Sequence, residues 1–469
     1  MPSRESNPSR VGISRGHSGS ARRARLEGSS IELNRADLLR RFDAIRERTR
    51  SIFDLVAAEA YRARPIPLRN PIVFYEGHLP AFNVNTLLKM GLGGEGVDPA
   101  LERIFERGID PEDAATAVPR GGVAEWPARE EVLRFAELAD EAIRDALARA
   151  PLEREDRAVL RRGQAVFAML EHELMHQETL LYMLHRLPHE QKRRPPSPAP
   201  EPSAPAPRPE TARVSAGVAV LGAEIDQTPF GWDNEFPTLA VEVAAFEIDA
   251  YDVTNERFLE FVEAGGYGRE DLWTREDWRW IQAAEIRHPS FWSRRNGEWY
   301  WRGMFEDFPL PAGWPVYASH AEASAYARWL GKRLPTEAEF HRAAYGAPSG
   351  EERAYPWGDE PPEGSRGNFG FTRWDPAGVG SHPAGRSAFG IHDLLGNGWE
   401  WTSTVFEPFP GFVPMVSYPP YSADFFDGRH YVLKGGSSGT ATELLRRSFR
   451  NWFRPHYPYV YATFRCVTT

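Results

Sequence analysis

Residues 171–184 read EHELMHQETLLYML, and His172-Glu173-x-x-His176 within them is where this chain concentrates groups able to do chemistry. Histidines four apart on a helix project from one face, so one helix can offer two imidazoles to one metal ion. The same spacing, with Glu173 as general base, is that of a zinc peptidase helix. A lone histidine on an apolar helix is ordinarily a core residue; a pair at this spacing among Leu170, Leu174 and Met175 points to a metal. The peptidase reading also needs a third ligand. Its extended form puts a glycine and then a histidine where this chain has Thr179 and Tyr182. Its other form takes a glutamate from a following helix, whereas after Leu187 this chain runs PHEQKRRPPSPAP. A zinc-dependent hydrolase on the His-Glu-x-x-His helix is therefore the lesser alternative.

A third imidazole is available upstream. The string NPIVFYEGHLPAF holds His78 after Gly77, at the expected start of a helix. In a helical bundle distant segments lie side by side, so His78 can face the pair. Three neutral imidazoles on one face leave the opposite positions open, which suits a redox iron that must take O2 and substrate together. Zinc accepts three histidines too, so ligand type alone does not choose between them. His185 lies nine residues past His176, roughly half a turn away at about 100° per residue, and is expected to face elsewhere.

These residues need a scaffold. The chain has 469 residues, 41% of them hydrophobic, enough for two or three domains with buried cores. A net charge of -10 with both signs mixed gives no case for nucleic acid. No apolar run approaches the ~20 residues of a membrane helix. The single cysteine, Cys466, can make no internal disulfide, so a cytoplasmic location is the expectation. Residues 1–30 read as a polar, Arg/Ser-rich disordered leader. Eight prolines in residues 195–209 mark an extended spacer, taken as 191–213. Residues 31–190 carry helical periodicity. Leu38, Leu39, Phe42, Ile45, Ile52, Phe53 and Val56 form one stripe. Val132, Leu133, Phe135, Leu138, Ala142 and Ile143 form another. AFNVNTLLKM and the long stretch from Arg154 to Leu187 complete a four-helix bundle. Residues 214–469 hold 14 of the 15 tryptophans and many turn pairs, with short apolar runs (VAVLG, LAVEVAAFEI, YVLKGG) and one clear helix, HAEASAYARWLGKR. The fold class is thus α+β in two domains, a helical bundle and an irregular α+β domain.

Several strings in the second half are specific: FGWDNEFP, YDVTNERFLEFVEAGGY, WPVYASHAEASAYARWLGKRLPTEAEF, YPWGDE, GIHDLLGNGWEWTST, VLKGGSS and RRSFRNWF. In this order they resemble the formylglycine-generating-enzyme (sulfatase-modifying-factor) fold, a C-type-lectin-like α+β domain. That family's oxidase uses a cysteine pair after GGS; here Thr440 and Leu445 stand in its place, so the resemblance implies the fold without that activity. The first half resembles a DinB-like bundle.

The two together resemble the EgtB-like iron-dependent sulfoxide synthases, which use hercynine in ergothioneine biosynthesis. The resemblance implies Fe(II) on His78, His172 and His176, O2 as co-substrate, and Glu173 in a structural role. It makes Tyr418 the catalytic tyrosine of an active-site loop and Tyr421 a substrate contact. It assigns Asn451, Trp452 and Phe453 to a trimethylammonium substrate, a cation without N–H donors that aromatic faces hold at roughly 0.5–2 kcal/mol each. The partners implied are small molecules, hercynine or histidine with a thiol or selenosugar donor. Close branches are selenoneine synthase and the ovothiol-type enzymes that join cysteine to histidine. Met175 stands where the ergothioneine enzymes often have glutamine, and Arg103, Arg107 and Arg120 are candidates to meet a donor carboxylate.

Overall fold

The computed structural model describes residues 33–106, 125–196 and 205–468. The expected leader and the candidates Arg107 and Arg120 lie outside these residues.

Helix α1 (Arg35–Phe53) starts where Asn34 accepts the Asp37 N–H at 3.1 Å, and it buries Leu38, Phe42, Ile45, Ile52 and Phe53. Helix α2 (Ile72–Asn83) begins six residues before His78, so His78 sits inside the helix and not at its start. Pro80 reads as a first-turn residue, but here it lies within a helix buried along its whole length; the segment expected as a separate helix continues it as wider π-helical turns over Val84–Gly91. Helix α3 (Pro99–Ile104) is short, and α4 (Arg129–Arg149) buries Val132, Phe135, Ala139, Ile143 and Leu147. Leu133 and Leu138, expected in that stripe, are exposed at 40% and 53%, because the inward face follows the 132–135–139–143 positions. Helix α5 (Gln164–Arg186) starts ten residues later than its periodicity suggests. Arg162 and Gly163, with φ of 56° and 68°, are left-handed in succession, which a right-handed helix cannot include.

The second half is built from short strands. In chain order they are β1 (Thr211–Val214), β2 (Gly217–Leu221), β3 (Leu239–Val243), β4 (Phe246–Asp249), β5 (Trp292–Arg295), β6 (Glu298–Arg302), β7 (Asp307–Pro309), β8 (Lys332–Arg333), β9 (Gly398–Val405), β10 (Tyr431–Gly436), β11 (Asn451–Phe453), β12 (Ala462–Thr463) and β13 (Val467–Thr468). They form sheets ordered β1-β4-β13-β8, β11-β10-β9-β12, β2-β3 and β5-β6-β7. Besides the expected helix, seen as α8 (His320–Trp329), there are α6 (Asn255–Glu263), α7 (Arg275–Ala283), α9 (Glu337–Tyr345) and the single turn α10 (Pro420–Ala423). Thr254, Thr274, Ser319 and Thr336 cap α6 to α9, and Ser319–Glu322 and Thr336–Glu339 are full capping boxes. β1 begins inside the expected spacer, and at the spacer's other end Lys192 pairs with Val56. One apolar core runs through both halves, joining Leu181 and Tyr182 to Phe291 and Tyr461.

Candidate metal centre and substrate cavity

Two helices of the bundle build the centre. His172 and His176 stand one turn apart on α5, and His78 faces them from α2. One ring nitrogen from each lies within 4.8 Å of the others. His78 Nε2 and His172 Nε2 are 3.3 Å apart, and the three ring centroids are separated by 4.5 to 5.2 Å. Aromatic rings fix the imidazoles: Phe82 stacks on His172 at 3.5 Å and Phe74 on His78 at 5.0 Å.

The donor set fits a metal. His78 Nδ1 is 2.7 Å from the Phe105 carbonyl, which fixes the proton on Nδ1 and turns the Nε2 lone pair to its two neighbours. Burial pulls His78 down to about 4, and burial followed by the neighbouring charges holds His172 and His176 well below the ordinary imidazole range. All three are therefore neutral at pH 7, the state in which imidazole ligates. Converging lone pairs repel one another until a cation lies between them.

Glu173 is not part of this centre. Its carboxylate accepts from Thr49 Oγ1 at 2.6 Å, Arg46 at 2.8 Å and Asn83 at 3.3 Å, and Arg46 also pairs with Asp140 at 2.8 Å. The motif's acid is thus locked into a buried network toward α1. His185 is occupied as well, its ring nitrogens 2.6 Å from the Arg302 carbonyl and 3.1 Å from Tyr461 Oη.

The second domain supplies the opposite wall. A cavity of about 200 Å³ is lined by His172, His176, Tyr418, Tyr421, Asn451, Trp452 and Phe453, so of the expected metal, catalytic and hercynine-contacting residues all but His78 border it directly. Trp452 stacks on Phe406 at 4.3 Å and Phe453 on Tyr457 at 5.1 Å, which leaves each aromatic backed by another. Asn451 Oδ1 accepts its neighbour's Trp452 N–H at 2.9 Å. Tyr418 comes from the loop between β9 and β10, and its ring lies 6.2 Å from that of His172.

That loop is held by residues whose role the spacing did not reveal. Ser422 donates to Asp233, and the Met415 N–H reaches the other carboxylate oxygen at 3.2 Å. Trp232 stacks on Tyr421 at 4.0 Å and donates its indole N–H to Glu171 at 3.0 Å. Arg446 then clamps Glu171 of the bundle and Glu235 of the second domain. The FGWDNEFP string is thus the seat of the Tyr418 loop. The Tyr421 hydroxyl donates to the Met175 sulfur at 3.3 Å, so Met175 is a wall residue facing that tyrosine.

Glu178, two residues past His176, enters the cavity wall and accepts from Trp399 at 2.8 Å, Thr440 at 2.9 Å and Ser437. Thr440 therefore binds the bundle at the position where the oxidases carry a thiol. Cys466 is fully buried, and burial pushes its thiol up. Arg103 is exposed on α3 and does not border the cavity. Arg69, one residue before the NPIVFYEGHLPAF string, does border it.

A DinB-type bundle joined to a sulfatase-modifying-factor domain, with a three-imidazole centre where they meet, defines the class of protein. Residues 41–180 match the DinB superfamily, and residues 196–469 match the Sulfatase-modifying factor enzyme 1-like domain. The chain is 35% identical over 449 residues to a "Hercynine oxygenase" of Mycolicibacterium thermoresistibile, covering 92% of this chain and 94% of that one. It is 38% identical over 412 residues to a "Hercynine oxygenase" of Mycobacterium tuberculosis, covering 85% and 91%. An "Ergothioneine biosynthesis protein 1" of Neurospora crassa is 30% identical over 500 residues, covering 88% of this chain and 55% of the fungal protein. The chain belongs to the hercynine oxygenase family. Among the described residues no helix is long and apolar enough to cross a membrane.

Proposed function

We propose that this protein is a non-heme iron oxidoreductase that joins a thiol or selenol donor to the imidazole of hercynine, with O2 as co-substrate, in ergothioneine- or selenoneine-type biosynthesis. His78, His172 and His176 would hold Fe(II). Bound there, the iron supplies one-electron chemistry toward O2 and lowers the pKa of a coordinated thiol. The rest is the work of the chain's own groups. Trp452 and Phe453 hold the trimethylammonium group against their faces. Asn451 offers its amide N–H to the imidazole or carboxylate. Tyr418 holds a proton beside His172 at the reacting face, which directs the reaction to C–S bond formation in place of thiol oxidation. Phe82 and Phe74 hold the His172 and His78 rings in place, and Trp232 holds Tyr421.

The observation that carries this reading is that His172 and His176 border the same cavity as the tyrosine and aromatic wall, with His78 converging on them from behind. The zinc-hydrolase alternative needs Glu173 as a base, and Glu173 is committed to Arg46, Thr49 and Asn83. The test is anaerobic loading with Fe(II) or Zn(II), then O2 with hercynine or histidine against cysteine, γ-glutamylcysteine and a selenosugar, with products read by mass. Coupled product with iron and none with zinc is expected. No coupled product with any donor sinks the proposal. Glu173→Gln separates the alternatives further: it should keep coupling per folded molecule while losing about 3 kcal/mol of stability, because Arg46 is left underpaired. A hydrolase would lose its base.

A further inference from the structure

An aromatic wall accounts for a cation but not for an anion, and amino-acid-derived substrates carry both. Arg69 lies between α1 and α2, is 9% exposed, and borders the cavity together with His172 and His176. Its Nε donates to Tyr457 Oη at 2.9 Å and its Nη2 to Tyr182 Oη at 2.5 Å. The same two phenol rings flank the guanidinium, with centroids 5.6 and 5.5 Å from its carbon. Tyr182 belongs to α5, fewer than two turns past His176. Tyr457 belongs to the second domain and stacks on Phe453. The guanidinium is thus oriented from both modules, between the metal-ligating helix and the aromatic wall.

Resting on the reading that the cavity takes amino-acid-derived substrates, we propose that Arg69 is its carboxylate anchor. A guanidinium presents planar, paired N–H donors that match a carboxylate, and the match strengthens where water is excluded. The other polar groups of the wall offer an anion less than a guanidinium does, and His430 is already paired with Asp427. Glu178 is itself an acceptor committed to three donors, and Asn451 is neutral. A carboxylate held at Arg69 and a trimethylammonium group held at Trp452 together fix the backbone of a betaine, and with it the ring position that faces the triad. A thiol donor bearing a carboxylate would be fixed at the same anchor. The chemistry recognised is the carboxylate; which substrate brings it is an outcome of the test.

The test uses the full-length, metal-loaded protein as wild type, Arg69→Met and Arg69→Lys. Calorimetric binding and steady-state kinetics are measured for hercynine, its decarboxylated counterpart, cysteine and cysteamine. Arg69→Met should weaken one of the two carboxylate ligands about 10- to 100-fold and its decarboxylated partner less than about twofold. Arg69→Lys should fall between, restoring charge without the paired donors. The ligand that discriminates is the one anchored. Equal loss with and without the carboxylate means Arg69 only shapes the wall, and overturns the proposal, as does no loss. If Arg69→Met does not fold, the wild-type preference for carboxylated over decarboxylated ligand, and its reduction in Arg69→Lys, decide the matter. Carboxylate-dependent binding without coupled product sinks the reaction and keeps the anchor. Coupled product without discrimination does the reverse, and no binding by either pair sinks both.

Discussion

Each of the three imidazoles is prepared by a different neighbour, and so each would fail differently. His78 depends on a carbonyl, His172 on a stacked phenyl ring, and His176 on a wall shared with Tyr75 and Met175. Tyr418 meets one of these supports, its ring edge-on to Phe82 at 5.5 Å, and Tyr418→Phe keeps that ring contact, which makes it a clean single-residue test. Tyr418→Phe should bind hercynine within about twofold of wild type, because the wall proposed to hold its trimethylammonium group is untouched. Its coupled product should fall ~10²-fold or more, the size of a lost proton donor, with turnover diverted to thiol dioxygenation. The product ratio by mass checks it, and an unchanged ratio removes Tyr418 from the chemistry. At this scale the sequence was informative where chemistry is local. Two histidines a turn apart declare themselves by spacing. Arg69 did not, because what makes it a site residue is Tyr457, 388 positions away. A structural Glu173 was implied by the resemblance, but its partners were hidden, since Arg46 and Thr49 reach it across more than 120 positions.

The helices legible in the sequence were those with a clean apolar stripe. α3 and α10 are too short to show a period, and α6, α7 and α9, also missed, are nine residues each, so their periodicity is too brief to read. Their signal lay in the caps, a threonine with an acidic residue three or fewer positions on. α2 was misread for the opposite reason: it is buried on all sides and has no polar face to give a period. That burial makes its packing testable. Gly77 precedes His78, and a Cβ there would lie 2.5 Å from the Phe105 ring. Phe105 must then move, and its carbonyl is the acceptor that fixes the His78 proton. Gly77→Ala should therefore weaken metal binding by about 10- to 100-fold, the usual size of losing such a partner, with little loss of helix content. Competition with a metal chelator measures the first and circular dichroism the second. Unchanged metal affinity would show that the Phe105 carbonyl does not set the tautomer.

On the scale of the whole molecule, the two modules are joined by buried polar contacts around the cavity. These are Glu171 with Arg446 and Trp232, Glu178 with Trp399 and Thr440, and His185 with Arg302 and Tyr461. None of this was readable from the sequence, where each partner looks like an ordinary charge or a core aromatic. Lys192 lies at the same junction. Its Nζ is buried without a hydrogen-bond partner among the described residues, and burial, followed by the Arg302 charge, pulls it down to about 7 from its ordinary 10.5. Between those two values the unfolded chain binds a proton that the folded chain lacks, so this group's contribution to stability rises with pH across the window and is lost as pH falls toward 7. The slope from one proton is at most about 1.4 kcal/mol per pH unit. Lys192→Met keeps the apolar stem and removes the titration. Urea unfolding of both proteins at pH 7, 8 and 9 should show the variant more stable at pH 7 and the gap closing as pH rises, since only the wild type gains. Stability curves that stay parallel over this range would mean that Lys192 reaches solvent when charged and that the junction is looser than its packing implies.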